Sequence, residues 1–183
     1  MRKKLILTFS IVALLCTALF SAPVQAATFN INFTPNCKSI YLLNLDTDTP
    51  VYELNADERR APASITKIMT YIIVSEHVSD PDNTIVTIDK SIVDEELSGT
   101  GSSLANLADE EQMSVSNLLR CLMIPSGNDA AVVLADYAGS GDIDAFVQMM
   151  NDKAAELGLA NTHFMNPHGL HHPEHYTTAR DMA

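Results

Sequence analysis

Apolar residues fall along this chain in three rhythms, each predicting a different kind of element. The first is continuous: residues 5–20 are almost unbroken apolar sequence behind the basic Met1-Arg2-Lys3-Lys4, closing near the small-residue pattern Val24-Gln25-Ala26-Ala27. That pattern predicts a secretory signal peptide cleaved after Ala26. The run of about 16 residues is shorter than the roughly 20 a membrane-spanning helix needs. A lipid anchor at Cys16 is disfavoured because Leu15 is larger than the small residue such a signal carries before its cysteine.

The second rhythm is extended. Residues 38–45 and 51–54 are rich in strand formers around the turn residues Asp46-Thr47-Asp48-Thr49-Pro50, which predicts a β-hairpin, and 84–88 alternates like a short strand. The third rhythm is helical. Pro62 suits a first helical turn, and Ile65, Ile68, Met69, Ile72 and Ile73 then recur at three- and four-residue steps, predicting a buried helix over 63–77. Residues 95–107 read as irregular. A helix capped by Ser114 or Ser116 carries Leu118, Leu119, Leu122 and Met123 until Pro125 interrupts it. Another runs over 128–137, and a third, capped by Asp142 or Asp144, holds Phe146, Val147, Met150 and Leu157 before Gly158 closes it. Thr178 and Asp181 have capping-box spacing, yet the sequence stops at Ala183, which suggests a truncated protein.

Charge narrows the function. The chain has 11 basic and 23 acidic side chains; without Arg2, Lys3 and Lys4 the basic count falls to 8 and the formal charge to −15. A phosphate backbone would be repelled, so nucleic-acid binding is excluded. The remaining cysteines, Cys37 and Cys121, lack metal or redox spacing; their pairing is open, and a buried thiol is expected at Cys121 beside Leu118, Leu119 and Leu122.

The chemistry concentrates in two places. Ser64 and Lys67 stand three residues apart at a helix start, so their side chains share one face with Cβ atoms about 5–6 Å apart. A serine hydroxyl becomes a nucleophile when a neighbouring base takes its proton, and a lysine can be that base once desolvation lowers its pKa. Ile65, Ile68 and Met69 are the residues expected to supply the burial. The helix N-terminus adds N–H groups and partial positive charge suited to an oxyanion. Ser-x-x-Lys alone is a weak signal; its setting, Pro62-Ala63-Ser64-Ile65-Thr66-Lys67-Ile68-Met69-Thr70, is stronger. The second place is Pro125-Ser126-Gly127-Asn128-Asp129-Ala130-Ala131, at a break between helices that can present Ser126 and Asn128 into a cleft.

Together these motifs resemble the penicillin-binding proteins and serine β-lactamases. With Asn161-Thr162-His163-Phe164, His168-Gly169-Leu170 and Tyr176-Thr177-Thr178-Ala179-Arg180-Asp181-Met182-Ala183, the chain is similar to the low-molecular-mass D-alanyl-D-alanine carboxypeptidases over roughly residues 40–183. The resemblance implies an α+β, β-lactamase/transpeptidase-like fold: a sheet flanked by helices, represented here by its first hairpin, plus an all-helical lobe at about 92–158. Residues 27–183 would be the N-terminal part of that serine peptidase domain, with later strands missing.

It further implies that Ser64 attacks the peptide bond between two terminal D-alanines of a peptidoglycan stem, forming an acyl-enzyme that water hydrolyses. Lys67 would take the serine proton, Ser126 would relay it to the leaving amine, and Asn128 would hold the substrate amide and position Lys67. Penicillins would acylate the same serine. No cofactor or metal is implied, the setting is the cell envelope outside the cytoplasm, and a C-terminal segment absent here could attach the protein to the membrane. The family's third motif, Lys-Thr-Gly, does not occur in these 183 residues, so the chain by itself is expected to be catalytically poor.

Three rivals compete. A β-lactamase would add a carboxylate for deacylation, and Glu174 is the one nearby candidate, in a setting unlike the lactamase pattern. A zinc site is suggested by five histidines between His163 and His175, but Pro173 breaks the helical spacing of His171 and His175. A non-catalytic wall-binding homologue fits poorly with intact Ser64, Lys67, Ser126 and Asn128. His168 reads as a structural residue of the turn with Pro167 and Gly169.

Overall fold

The computed structural model describes residues 34–183; the expected leader over residues 1–26, and Cys16, lie outside them. The hairpin forms as β1 (Ile40–Asn44) and β2 (Thr49–Leu54), antiparallel, with a bulge between Leu42 and Leu43. Asp48 supplies a left-handed turn residue at φ 49°. A second antiparallel pair joins β3 (Ile85–Thr87) to β4 (Gln112–Ser114). The alternation over 84–88 predicts β3 but not its three-residue partner.

Helix starts follow the side-chain caps. Ser114 accepts the Asn117 N–H and opens α3 (Val115–Met123), and Asp142 accepts the Ala145 N–H and opens α5 (Ile143–Glu156). Thr178 accepts the Asp181 N–H and opens the short α6 (Ala179–Met182). Gly158, at φ 74°, follows the end of α5 as expected, although Leu157 caps that helix from outside. One helix is not expected from the sequence: α2 (Lys90–Leu97), capped by Asp89 on the Ser91 N–H, takes in the first three residues of the segment read as irregular, whose remainder, 98–107, is irregular as expected. Its buried apolar residues are only Val93 and Leu97, too few to make a visible stripe.

At the centre lies α4 (Asn128–Ala138), where every residue from Asn128 to Ala135 is buried. Ala130, Ala131 and Ala135 keep it slim enough for α2, α3, α5 and α1 (Thr66–His77) to pack around it. Leu118, Leu122, Leu134, Phe146 and Met150 are fully enclosed, each contributing about 1.5–3 kcal/mol relative to exposure. Helices α2 to α5 pack together apart from the first hairpin, but the stretch 92–158 expected to be all-helical also contains β4, which pairs with β3.

The segment 163–178 returns across the start of α1. Isolated bridges pair Arg60 with Thr177 and His163 with Tyr176, and Arg180 ties α6 to β2 through Glu53 and to Asp57, both at 2.7 Å. Cys37 is exposed and Cys121 half-buried, and both are free. Among the described residues no helix is long and apolar enough to cross a membrane.

Candidate active site

The predicted helix over 63–77 begins as a 3-10 turn, Ala63–Ile65, and becomes α-helical at Thr66. Ala63 takes a left-handed φ of 51°, which presents Ser64 at the exposed lip of the turn. One turn on, Lys67 is 2% exposed, with its Nζ donating to Ser64 Oγ at 3.3 Å and to the His168 carbonyl at 2.8 Å. Burial lowers the Lys67 amine from its usual value to about 8, so roughly a tenth of it is neutral at pH 7.

The source of that burial differs from the sequence expectation. Ile65 and Ile68 are 50% and 44% exposed, and only Met69 of the three faces the core. A helix apolar on several sides has no single stripe from which to read its inward face. Lys67 is instead covered by the turn at 167–169. Gly169, at φ 93°, lies so close that a Cβ there would sit 1.9 Å from the Ala63 carbonyl oxygen and 3.0 Å from Thr66 Oγ1, so glycine is required both by backbone angle and by space. Thr70 Oγ1 donates to the Pro167 carbonyl at 2.6 Å.

The turn reading of His168 thus holds, and its carbonyl has an added part as acceptor for Lys67. The imidazole itself is buried. Its Nδ1 accepts the Leu170 N–H at 3.2 Å, leaving the proton on Nε2, which has no partner among the described residues. Burial, with Lys67 nearby, lowers its pKa to about 4.

The second motif is held by backbone contacts. Ser126 is half-buried at a left-handed φ of 58°, Gly127 caps α4, and Asn128 is its first residue, 5% exposed. A Cβ at Gly127 would come within 2.7 Å of Asp129 Oδ1 and 2.9 Å of the Cys121 carbonyl oxygen. Ser103 braces the loop on both sides of Ser126: its hydroxyl donates to the Pro125 carbonyl at 2.9 Å, and its own carbonyl accepts the Asn128 N–H at 2.8 Å. The buried Asp129 carboxylate accepts from the N–H groups of Ala105 at 2.8 Å, Leu107 at 3.1 Å and Ala130 at 2.9 Å. Asp129 and Ser103 escape sequence reasoning, although an acid in the first turn of a helix is a recognisable signal.

Among the described residues, no side-chain hydrogen bond joins Lys67 to Ser126 or Asn128; the hydrogen bonds of its amine go to the Ser64 hydroxyl and the His168 carbonyl, so the expected positioning of Lys67 by Asn128 is not seen. Helices α1 and α4, which carry the two motifs at their starts, pack directly on each other. Glu174 is exposed, and its contacts run through its backbone to His163 and His172, so its carboxylate is not held at Ser64. His175 is buried with both ring nitrogens engaged, by Thr66 and by the Met165 N–H.

The profile of the D-alanyl-D-alanine carboxypeptidase family matches residues 25–183. The carboxypeptidase DacF of Bacillus subtilis is 43% identical over 146 residues, covering 80% of this chain and 37% of that protein. DacA of Escherichia coli is 40% identical over 182 residues, covering 92% of this chain and 44% of that protein. The chain therefore spans less than half the length of either relative. The crystal structure of the Streptomyces K15 DD-transpeptidase superposes with a TM-score of 0.74 at 35% identity, over 82% of this chain and 60% of that one. Penicillin binding protein 5 of Haemophilus influenzae gives 0.77 at 35% identity, over 85% and 45%. These likenesses establish the transpeptidase-like α+β fold.

Proposed function

The chain belongs to the D-alanyl-D-alanine carboxypeptidase family, and from that membership we propose that it supplies the nucleophilic half of a serine carboxypeptidase acting on peptidoglycan stems that end in D-Ala-D-Ala. Ser64 Oγ attacks the carbonyl between the two D-alanines while its proton passes to neutral Lys67. The C–N bond then breaks, the leaving D-alanine amine takes a proton relayed through Ser126, and an ester remains on Ser64. Water, deprotonated in the same way, attacks that ester and regenerates the hydroxyl. Asn128 holds the substrate amide. A penicillin acylates Ser64 in the same manner: its β-lactam C–N bond breaks, and the ring nitrogen, protonated and still tethered to the acyl group, takes the place of the leaving amine.

The observation that carries this reading is the Ser64 to Lys67 contact: a hydroxyl at the exposed lip, 3.3 Å from an enclosed amine whose pKa burial brings to about 8. A general base works best when its pKa lies near the operating pH. The substrate class rests on the family and on the names its relatives carry. The same reading puts the protein in the cell envelope, residues 1–26 as its export signal, and any membrane attachment in a C-terminal segment. Lys-Thr-Gly is not among the 183 residues, so the chain alone is expected to acylate slowly and the complete protein to acylate normally.

Labelling of the complete protein with a fluorescent penicillin tests the proposal. Covalent label is expected on the wild type and none on Ser64→Ala. Label appearing on Ser64→Ala at the wild-type rate removes Ser64 as the nucleophile.

A further inference from the structure

Of the five histidines between His163 and His175, His175 is the one whose ring hydrogen-bonds to a side chain at the start of α1. It is 2% exposed and lies 109 residues along the chain from Thr66, whose hydroxyl is 2.8 Å from His175 Nε2. On its other side, Nδ1 accepts the Met165 N–H at 3.0 Å. An N–H can only donate, so Nδ1 is the unprotonated nitrogen and the ring proton sits on Nε2, donated to Thr66 Oγ1. The ring also stands edge-on to Phe164, with centroids 5.8 Å apart and planes at 75°. Every polar valence of the neutral imidazole is thereby used, leaving it one orientation.

Thr66 is fully buried and stands between Ser64 and Lys67 in the chain. With Thr70 bonded to the Pro167 carbonyl, it makes two side-chain bonds that draw α1 onto the segment whose His168 carbonyl receives Lys67. We infer that His175 is a positioning residue for the Ser64 and Lys67 pair, acting through Thr66 as a neutral, Nε2-protonated imidazole that registers the start of α1 against the 165–169 segment. It touches neither substrate nor reacting atom. Loss of the bond lets the helix start move away from the His168 carbonyl and admits water to Lys67, so the amine titrates higher and the near-attack geometry of the pair degrades. The meaning of the effect for catalysis rests on the roles proposed above for Ser64 and Lys67; the bonds and the Lys67 titration do not.

The experiment uses the complete protein. In a sample carrying 15N-histidine, NMR is expected to find His175 with a protonated Nε2 and a bare Nδ1; a proton on Nδ1 overturns the inference, with no variant needed. Two variant pairs follow. His175→Gln keeps an amide N–H in reach of Thr66 and His175→Asn does not; Thr66→Ser keeps the hydroxyl and Thr66→Val does not. In His175→Asn and Thr66→Val the acylation rate constant is expected to fall on the order of 10- to 100-fold, with the pre-acylation dissociation constant for penicillin unchanged and the Lys67 amine titrating above its wild-type midpoint by NMR. His175→Gln and Thr66→Ser should restore most of the rate. Wild-type acylation and an unmoved Lys67 midpoint in all four overturn the inference, whatever their melting temperatures. A wild type that penicillin does not acylate, with the predicted tautomer and the predicted Lys67 shifts, sinks the reading of Ser64 and leaves the positioning role standing.

Discussion

The two halves of the candidate site are held by different physics. The Ser64 to Lys67 half depends on contacts with residues about 100 positions away: Lys67 to the His168 carbonyl, Thr70 to the Pro167 carbonyl and Thr66 to His175. The Ser126 to Asn128 half is held almost locally, by Ser103 and by the Asp129 carboxylate reaching back to residues 105 and 107. The first half buries a titratable amine and two neutral imidazoles; the second buries a carboxylate that three N–H groups satisfy. One should therefore respond to pH and to anything that separates α1 from the 163–178 segment, whereas the other should respond to backbone perturbation of its own loop.

The sharpest break in that contrast is Gly169→Ala. The new methyl would overlap the Ala63 carbonyl at a left-handed φ of 93°, and the combined strain should destabilise by about 3–5 kcal/mol in urea unfolding. Gly127→Ala, at φ −63°, has only the crowding to relieve, so its loss should be visibly smaller. Equal losses would mean that the two halves are not differently held.

Acid should act on the first half next. His168 and His175 both sit near pKa 4 in the fold against 6.5 in the unfolded chain, so between those values the unfolded state binds more protons. Their neutral burial is fully tolerated above about pH 6.5, and stability falls as pH drops from there toward 4, by about 3 kcal/mol for each ring. His168→Gln should flatten this limb by roughly one ring's share, as read from chemical denaturation at several pH values. An unchanged limb would contradict the burial argument.

Asp129→Asn should cost about 2 kcal/mol, since an amide offers one acceptor oxygen where the carboxylate served three donors. Its effect on acylation should appear without any movement of the Lys67 midpoint, because among the described residues the hydrogen bonds of the Asp129 carboxylate run to Ala105, Leu107 and Ala130 and not to the Ser64 to Lys67 half. The smallest loss is expected for Arg180→Ala: its ion pairs with Glu53 and Asp57 are exposed and screened by salt.

What could be read in the sequence follows the same division. Local signals carried well: the serine and lysine one turn apart, the caps at Ser114, Asp142 and Thr178, and the break before Ser126 are all settled within a few residues. Signals that depend on distant partners did not. The acceptor for Lys67 is a backbone carbonyl 101 residues on, an atom every residue possesses, and β4 is defined by three pairings with β3. Ile65 and Ile68 suggested burial because they are apolar, yet the face that closes on Lys67 is made by a glycine turn. His175 looked like part of a histidine-rich stretch until packing showed both of its nitrogens engaged.

If Lys67, enclosed and lowered to about 8, is the base that activates Ser64 as proposed, the pH dependence of acylation must report its titration. With the complete protein and one penicillin, the second-order acylation rate should climb through an apparent pKa near 8 and level off above it, and Lys67→Ala should lower the plateau on the order of 10²- to 10⁴-fold. A rate that stays flat from about pH 6 to 10, or a midpoint at the ordinary lysine value, would contradict the account.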